Sequence, residues 1–239
     1  MKQKTITIAI PVFERYYLTK AVLKDWLKKI EGFTGKTKFR LLIGTDEQYY
    51  FNLCEELNIS YLDVNNEVLG EKFNCLLLAA STMGDGVILM GSDDFPLRYF
   101  LNTYKDLPEK NIDCFALQSL YIADWQTWKA KKVYVRNSYV GAGFYFSSDI
   151  ILELMVREGR IFPLFKKGLD GSMIALLRKN NIEIKTKEQE NPVLVDWKSK
   201  ENLHNFAQIQ GNDVHINEVL EKMCADSVER LKFYNTIVN

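Results

Sequence analysis

Hydrophobic and polar positions alternate in blocks along the first hundred residues. Thr5-Ile6-Thr7-Ile8-Ala9-Ile10 is a β-branched run stopped by Pro11, which cannot donate to a ladder. Leu18, Val22, Trp26 and Ile30 then recur every four residues, flanked by Leu23 and Leu27, and this spacing predicts an amphipathic helix. Phe39 to Ile43 reads as a second strand ending at Gly44-Thr45-Asp46. Tyr50, Leu53, Cys54 and Leu57 mark a short helix, and Ile59 to Val64 a third strand. After Asn65, Asn66 and Gly70, a helix through Phe73, Leu76, Leu77 and Ala80 ends at Met83-Gly84. Val87-Ile88-Leu89-Met90 is apolar throughout, as expected of a strand covered on both faces, and runs into Gly91-Ser92-Asp93-Asp94-Phe95-Pro96.

This β-α-β-α-β-α-β order predicts a mostly parallel sheet flanked by helices. Ligands of such sheets bind outside the carboxyl ends of the strands, here Pro11 to Arg15, Thr45-Asp46, Asn65-Asn66 and Asp93-Asp94. The second half is less regular. Asp113 to Ala123 and Val133 to Arg136 read as strands, separated by Trp125, Trp128 and the cluster Lys129, Lys131 and Lys132. Ser147 or Ser148 caps a helix through Ile150, Ile151 and Leu154. Gly168-Leu169-Asp170-Gly171 opens another through Ile174 and Leu177, and Ile182 to Ile184 is a further strand. From Asn191 the chain reads as loop, then as a helix from about Asn217 to Lys232. The expected organisation is one domain over 1–190. Residues 191–239 form a C-terminal extension.

Composition narrows the classes. The 239 residues carry 31 Lys+Arg and 31 Asp+Glu, which argues against a surface built wholly for nucleic acid. No apolar run approaches the roughly 18 residues of a membrane helix. The N-terminus lacks a signal peptide's apolar stretch, and a cytoplasmic location is expected. Cys54, Cys75, Cys114 and Cys224 form no C-x-x-C pair and read as free thiols in a reducing compartment.

The adjacent carboxylates Asp93 and Asp94, beside Gly91 and Ser92, are the sharpest chemical feature. Paired acids suit Mg²⁺ or Mn²⁺, although Asp94 can equally cap a helix opened by Pro96. Asp46 is either a turn residue or a contact to a nucleobase or ribose. Lys72 and Asn74 begin a helix and either face a phosphate or lie on a solvated surface. Asp170 is an N-cap or an exposed general base. His204 is a possible metal ligand; His215 reads as surface.

These residues carry a resemblance. Ile6 through Arg15 resembles the opening strand and turn of GT-A nucleotide-sugar glycosyltransferases, above all glycosyltransferase family 2. Asp46 matches the base-binding Asp, Gly70-Glu71-Lys72-Phe73-Asn74 the Gly-x-x-x-Asn helix start, Leu89 to Asp94 the D-x-D segment, and Leu169-Asp170 the Glu-Asp pair. The motif order covers roughly the first 185 residues. The resemblance implies a Rossmann-like GT-A sheet, with a nucleotide-binding half at about 1–96 and an acceptor-binding half at about 97–190. It implies donor contacts from Pro11, Phe13, Glu14, Arg15, Asp46, Lys72, Asn74, Ser92 and Asp93. Mn²⁺ or Mg²⁺ would be held by Asp93, Asp94 and His204, and Asp170 would be the catalytic base. The implied reaction is inverting transfer from a nucleoside diphosphate sugar, UDP-linked, to a hydroxyl on a glycan, lipid-linked glycan, protein or nucleic acid.

Two departures stand out: Gly91 replaces the first acid of D-x-D, and Leu169 replaces Glu. They define the alternative, a catalytically degenerate GT-A protein that binds nucleotide sugar or a partner without turnover. The Gln-x-x-Arg-Trp motif of processive members is missing, which implies a single transfer per encounter. Acceptor contacts are expected from Trp125, Trp128, Tyr134, Tyr139, Phe144 and Tyr145. The lysine cluster beside them reads as an anion contact or a solvated hairpin tip. The turn after the first strand has no glycine, which excludes sugar-phosphate nucleotidyltransferases and dinucleotide-binding folds. It also has no nucleophilic Asp, which excludes haloacid-type phosphatases.

Overall fold

Seven strands form the central sheet in the order β10-β6-β9-β4-β1-β2-β3. In this computed structural model they are β1 Thr5–Pro11, β2 Lys38–Thr45, β3 Ser60–Asp63, β4 Gly86–Leu89, β6 Cys114–Ala116, β9 Phe144–Ser147 and β10 Ile184–Thr186. The structure describes residues 3–124, 126–135, 138–165, 168–187, 191–198, 206, 209–223, 226 and 228–229. Strand β1 lies parallel to both β2 and β4, and β2 parallel to β3; only β9 runs antiparallel, between β4 and β6. The sheet is therefore mixed and mostly parallel, as the alternation predicts.

Period-two patterning explains its two faces. Ile6, Ile8 and Ile10 point into one core with Leu18, Val22 and Trp26 of α1 (Tyr16–Glu31) and Leu53 of α2 (Gln48–Leu57). Ala9 and Leu42 belong to a second core with Leu76, Leu77 and Ala80 of α3 (Leu69–Ser81). Helices α5 (Ser148–Glu158) and α6 (Leu169–Lys179) complete that second layer through Ile151, Leu154, Met173 and Leu177. The serine cap holds: Ser147 Oγ accepts from the Ile150 amide at 3.3 Å.

A second sheet, in the order β12-β8-β7-β11-β5, packs into the α1-side core. Its strands are β5 Asp94–Pro96, β7 Ser119–Asp124, β8 Lys129–Tyr134, β11 Leu194–Lys198 and β12 Asn212–Val214. Several expectations are corrected here. Pro96 does not open a helix but ends β5; the nearby helix α4 is only Phe100–Tyr104. The single strand read over 113–123 is two, β6 in one sheet and β7 in the other. The stretch after 191 read as loop supplies β11, which lies between β5 and β7. These pairings join residues about 75 to a hundred positions apart, which local periodicity cannot register. Lys129, Lys131 and Lys132 lie within β8, not at a hairpin tip, and Lys131 Nζ donates to the Ile209 carbonyl at 2.7 Å. Phe144 and Tyr145 are fully buried core, so they are removed from the acceptor candidates. Of the C-terminal helix, α7 Ile216–Leu220 is described. Cys54, Cys75 and Cys114 are free; Cys224 and Trp125 lie outside the described residues. Among the described residues no helix is long and apolar enough to cross a membrane.

Candidate active site

Strands β4, β1, β2 and β3 are neighbours, so the chain leaving each one arrives at the same rim. A cavity of about 680 Å³ opens there, lined by Pro11, Phe13, Glu14 and Arg15 after β1, Asp46 after β2, Asn66 after β3, and Gly91, Ser92 and Asp93 after β4. Lys72 and Phe73 of α3 line it as well. Eight of the nine sequence-derived donor positions thus share one space. Asn74 is the exception. Its side chain accepts from the Ile161 and Phe162 amides at 3.0 and 2.9 Å and donates to the Phe162 carbonyl at 2.8 Å. Every polar atom of its amide group is spent fastening the 161–162 turn to α3.

Lys72 is not a solvated surface charge. It is 2% exposed, and its Nζ donates to the Val12 carbonyl at 2.6 Å and to Asn66 Oδ1. Asn66 in turn donates to Asp46 through its backbone, at 3.0 Å, and through its side-chain amide. Burial lowers the Lys72 pKa to about 8 against the opposing pull of Asp46 and Glu47. A chain Asp46–Asn66–Lys72 therefore borders the cavity, with its basic end desolvated.

Three carboxylates meet at Asp93, which lines the same cavity. One oxygen each from Asp93, Asp94 and Asp196 lie within 4.8 Å of one another. Asp196 sits in β11, whose register places it directly opposite Asp94 in β5. Sequence reasoning missed Asp196, although the apolar run Val193-Leu194-Val195 before it carried a readable strand signal. Burial, then the charges of Asp196 and Asp93, hold the Asp94 carboxyl well above the usual carboxylate range. Burial and Asp93 push Asp196 up to about 6, with Lys198 and Arg15 opposing. Asp94 is no helix cap: its Oδ2 accepts from the Gly91 amide. A Cβ at Gly91 would stand 2.7 Å from Asp94 Oδ2 and 2.8 Å from Asp93 Oδ1. The glycine in place of the first acid of D-x-D thus makes room for two carboxylates that fold back over it, and β11 brings a third. Hard oxygen donors at this spacing fit Mg²⁺ or Mn²⁺. His204 lies outside the described residues.

Asp170 is exposed in the first turn of α6, whose N-cap is Gly168. Its carboxylate covers Gly141, where a Cβ would meet Oδ2 at 2.2 Å. With Asp94, Gly141, Phe162 and Met173 it lines a smaller cavity of about 150 Å³. Gly91 and Phe73 line both cavities, so the spaces of Asp93 and Asp170 adjoin. Leu169 is a buried core residue packed with α6, which accounts for an apolar side chain where a Glu was expected.

Comparison with known structures bears on the fold. Two crystal structures of Staphylococcus aureus TarS superpose with TM-scores of 0.54 and 0.57 at 15% and 16% identity, over 81% and 82% of this chain. The catalytic domain of Drosophila β1,4-galactosyltransferase 7, in complex with xylobiose, superposes at 0.54 and 11% identity over 93% of this chain and 81% of its own. These are GT-A glycosyltransferases. This chain has the GT-A fold. It spans 60% and 37% of the lengths of the two TarS structures. A variant of the Drosophila GT-A enzyme, complexed with manganese, UDP-Gal and xylobiose, superposes at 0.53 and 11% identity. No family model and no curated protein matches the sequence.

Proposed function

We propose that this GT-A protein is a glycosyltransferase that moves one sugar from a UDP-linked donor to an acceptor hydroxyl, with inversion and with divalent-metal assistance. The observation that carries the reading is the shared rim: a basic, desolvated Lys72 and Asp93, one member of a three-carboxylate cluster, line the same cavity. The bound manganese and UDP-Gal of the Drosophila neighbour support it by analogy of fold.

In this reading Asp46, held by Asn66, takes the base or ribose, and Lys72 with Arg15 faces the diphosphate. Among the described residues, Asp93, Asp94 and Asp196 are the ligands offered to a metal; such an ion, when bound, offsets the charge that builds on the leaving diphosphate. Inversion needs a base on the acceptor side of the anomeric carbon. Asp170, in the adjoining cavity, is assigned to take the acceptor proton there. Free, largely buried thiols fit a cytoplasmic setting.

The test is Asp170→Asn. General-base assistance is worth roughly a hundredfold to ten-thousandfold, so transfer should fall by that factor while UDP affinity, measured by calorimetry, stays unchanged. Transfer at the wild-type rate refutes the base assignment. A wild-type protein that binds UDP yet neither transfers nor hydrolyses any UDP-sugar is instead the degenerate binding module.

A further inference from the structure

Arg15 is the N-cap of α1, with φ 50° and ψ 38°, and Glu14 before it has φ 53°. Helices prefer Ser, Thr, Asp or Asn at this place, and left-handed backbone is disfavoured for residues with a Cβ. Contacts from α2 hold the turn in this conformation. Glu47 Oε2 accepts from the Glu14 amide at 3.1 Å, and the Tyr50 hydroxyl donates to the Glu14 carbonyl. The outcome is a mostly buried guanidinium aimed at the acid cluster: Arg15 donates to Asp93 Oδ2 at 2.8 Å and to Ser92 Oγ at 2.9 Å. Across the cluster, Lys198 pairs with Asp196 at 2.5 Å. Two of the three carboxylates are therefore already matched by protein cations.

We propose that Arg15 is an internal counter-ion, holding Asp93 in the free protein and passing to the donor diphosphate when the metal takes Asp93, so that metal and nucleotide bind interdependently. This rests on the metal-assisted reading above. A divalent ion at Asp93 repels a guanidinium at hydrogen-bond distance and draws off the carboxylate charge it is paired with, which weakens the Arg15–Asp93 pair. Broken alone, it strands a mostly buried cation. Arg15 also lines the donor cavity, however, where phosphate oxygens offer the bidentate geometry that suits arginine. The nucleotide thus supplies the partner that the metal removes, and by linkage each ligand strengthens the other by the same factor.

Mn²⁺ titrations of the full chain, read by electron paramagnetic resonance with and without UDP, test this on wild type, Arg15→Met, Arg15→Lys and Asp93→Asn. In wild type, UDP should tighten Mn²⁺ binding about tenfold or more. Without UDP, Arg15→Met should bind Mn²⁺ about tenfold more tightly than wild type and gain about tenfold less from UDP than wild type does, a change that damage to the fold does not produce. Arg15→Lys, which keeps the charge, should keep the coupling. If Arg15→Met binds Mn²⁺ no better than wild type while Asp93→Asn abolishes binding, the exchange is refuted and the metal reading stands. If neither wild type nor Arg15→Met binds Mn²⁺ with or without UDP, both fall. Should Arg15→Met fail to fold, the wild type decides, because Mn²⁺ affinity indifferent to UDP refutes the proposal.

Discussion

Lys72→Met is the perturbation with the clearest arithmetic. The side chain is 2% exposed and its folded pKa is about 8, against an ordinary 10.5. A lysine whose folded pKa is depressed costs stability at every pH where the unfolded chain holds the proton. The cost is full below pH 8 and is relieved as pH rises from 8 through 10.5. The shift corresponds to about 3 kcal/mol at neutral pH, of which about 2 kcal/mol is recovered by pH 9.5. Methionine has no proton to lose and fills a similar volume, although it leaves the Val12 carbonyl and Asn66 Oδ1 without this donor. Urea unfolding of wild type and variant at pH 7 and pH 9.5 isolates the ionisation, because the lost hydrogen bonds enter at both pH values. The stability difference should move in favour of wild type by about 2 kcal/mol over that interval. The same group gives a ligand readout. A diphosphate beside Lys72 raises its pKa again, so UDP binding at pH 8.5 should take up roughly 0.7 proton, measured by calorimetry in buffers of different ionisation enthalpy. A stability difference flat with pH would show that Lys72 is not depressed. Proton uptake persisting in Lys72→Met would show that another group accepts the proton.

Three further outcomes follow from the geometry. Asp196→Asn removes the carboxylate that β11 brings to the cluster and should weaken Mn²⁺ binding about tenfold to a hundredfold, by paramagnetic titration, with the circular dichroism spectrum retained. Asn74→Ala strands the Ile161 and Phe162 amides and should destabilise by about 1–3 kcal/mol in urea; because Asn74 stands off the cavity, UDP affinity should not change. Trp26→Ala empties a fully buried site between β1 and Phe100, whose ring lies 5.0 Å from that of Trp26, and should cost about 3–5 kcal/mol in the same assay.

How far the chain could be read without coordinates depended on the range of the interactions. Strands β1 to β4 and helices α1 to α3 were legible because each carries its own periodicity, and the apolar residues of Thr5–Pro11 and the every-fourth-residue spacing of α1 need no distant partner to be recognised. The rim that gathers the loops was legible for the same reason: parallel strands that are neighbours deliver Arg15, Asp46 and Asp93 to one edge whatever the side-chain details. Lys72 was placed correctly on α3, but its desolvation required the Val12 carbonyl and Asn66 to close over it.

The sequence alone settled which elements exist in the first half and which ends of them bear polar chemistry, because hydrophobic period and strand ends are local properties. Tertiary structure decided that Asp196 joins Asp93 and Asp94, that Arg15 is turned onto Asp93, and that residues 113–123 divide between two sheets. Each of these depends on a pairing across about seventy residues or more, or on a backbone conformation that its own residues disfavour. Such arrangements exist only once the packed core has met their cost in chain entropy and strain.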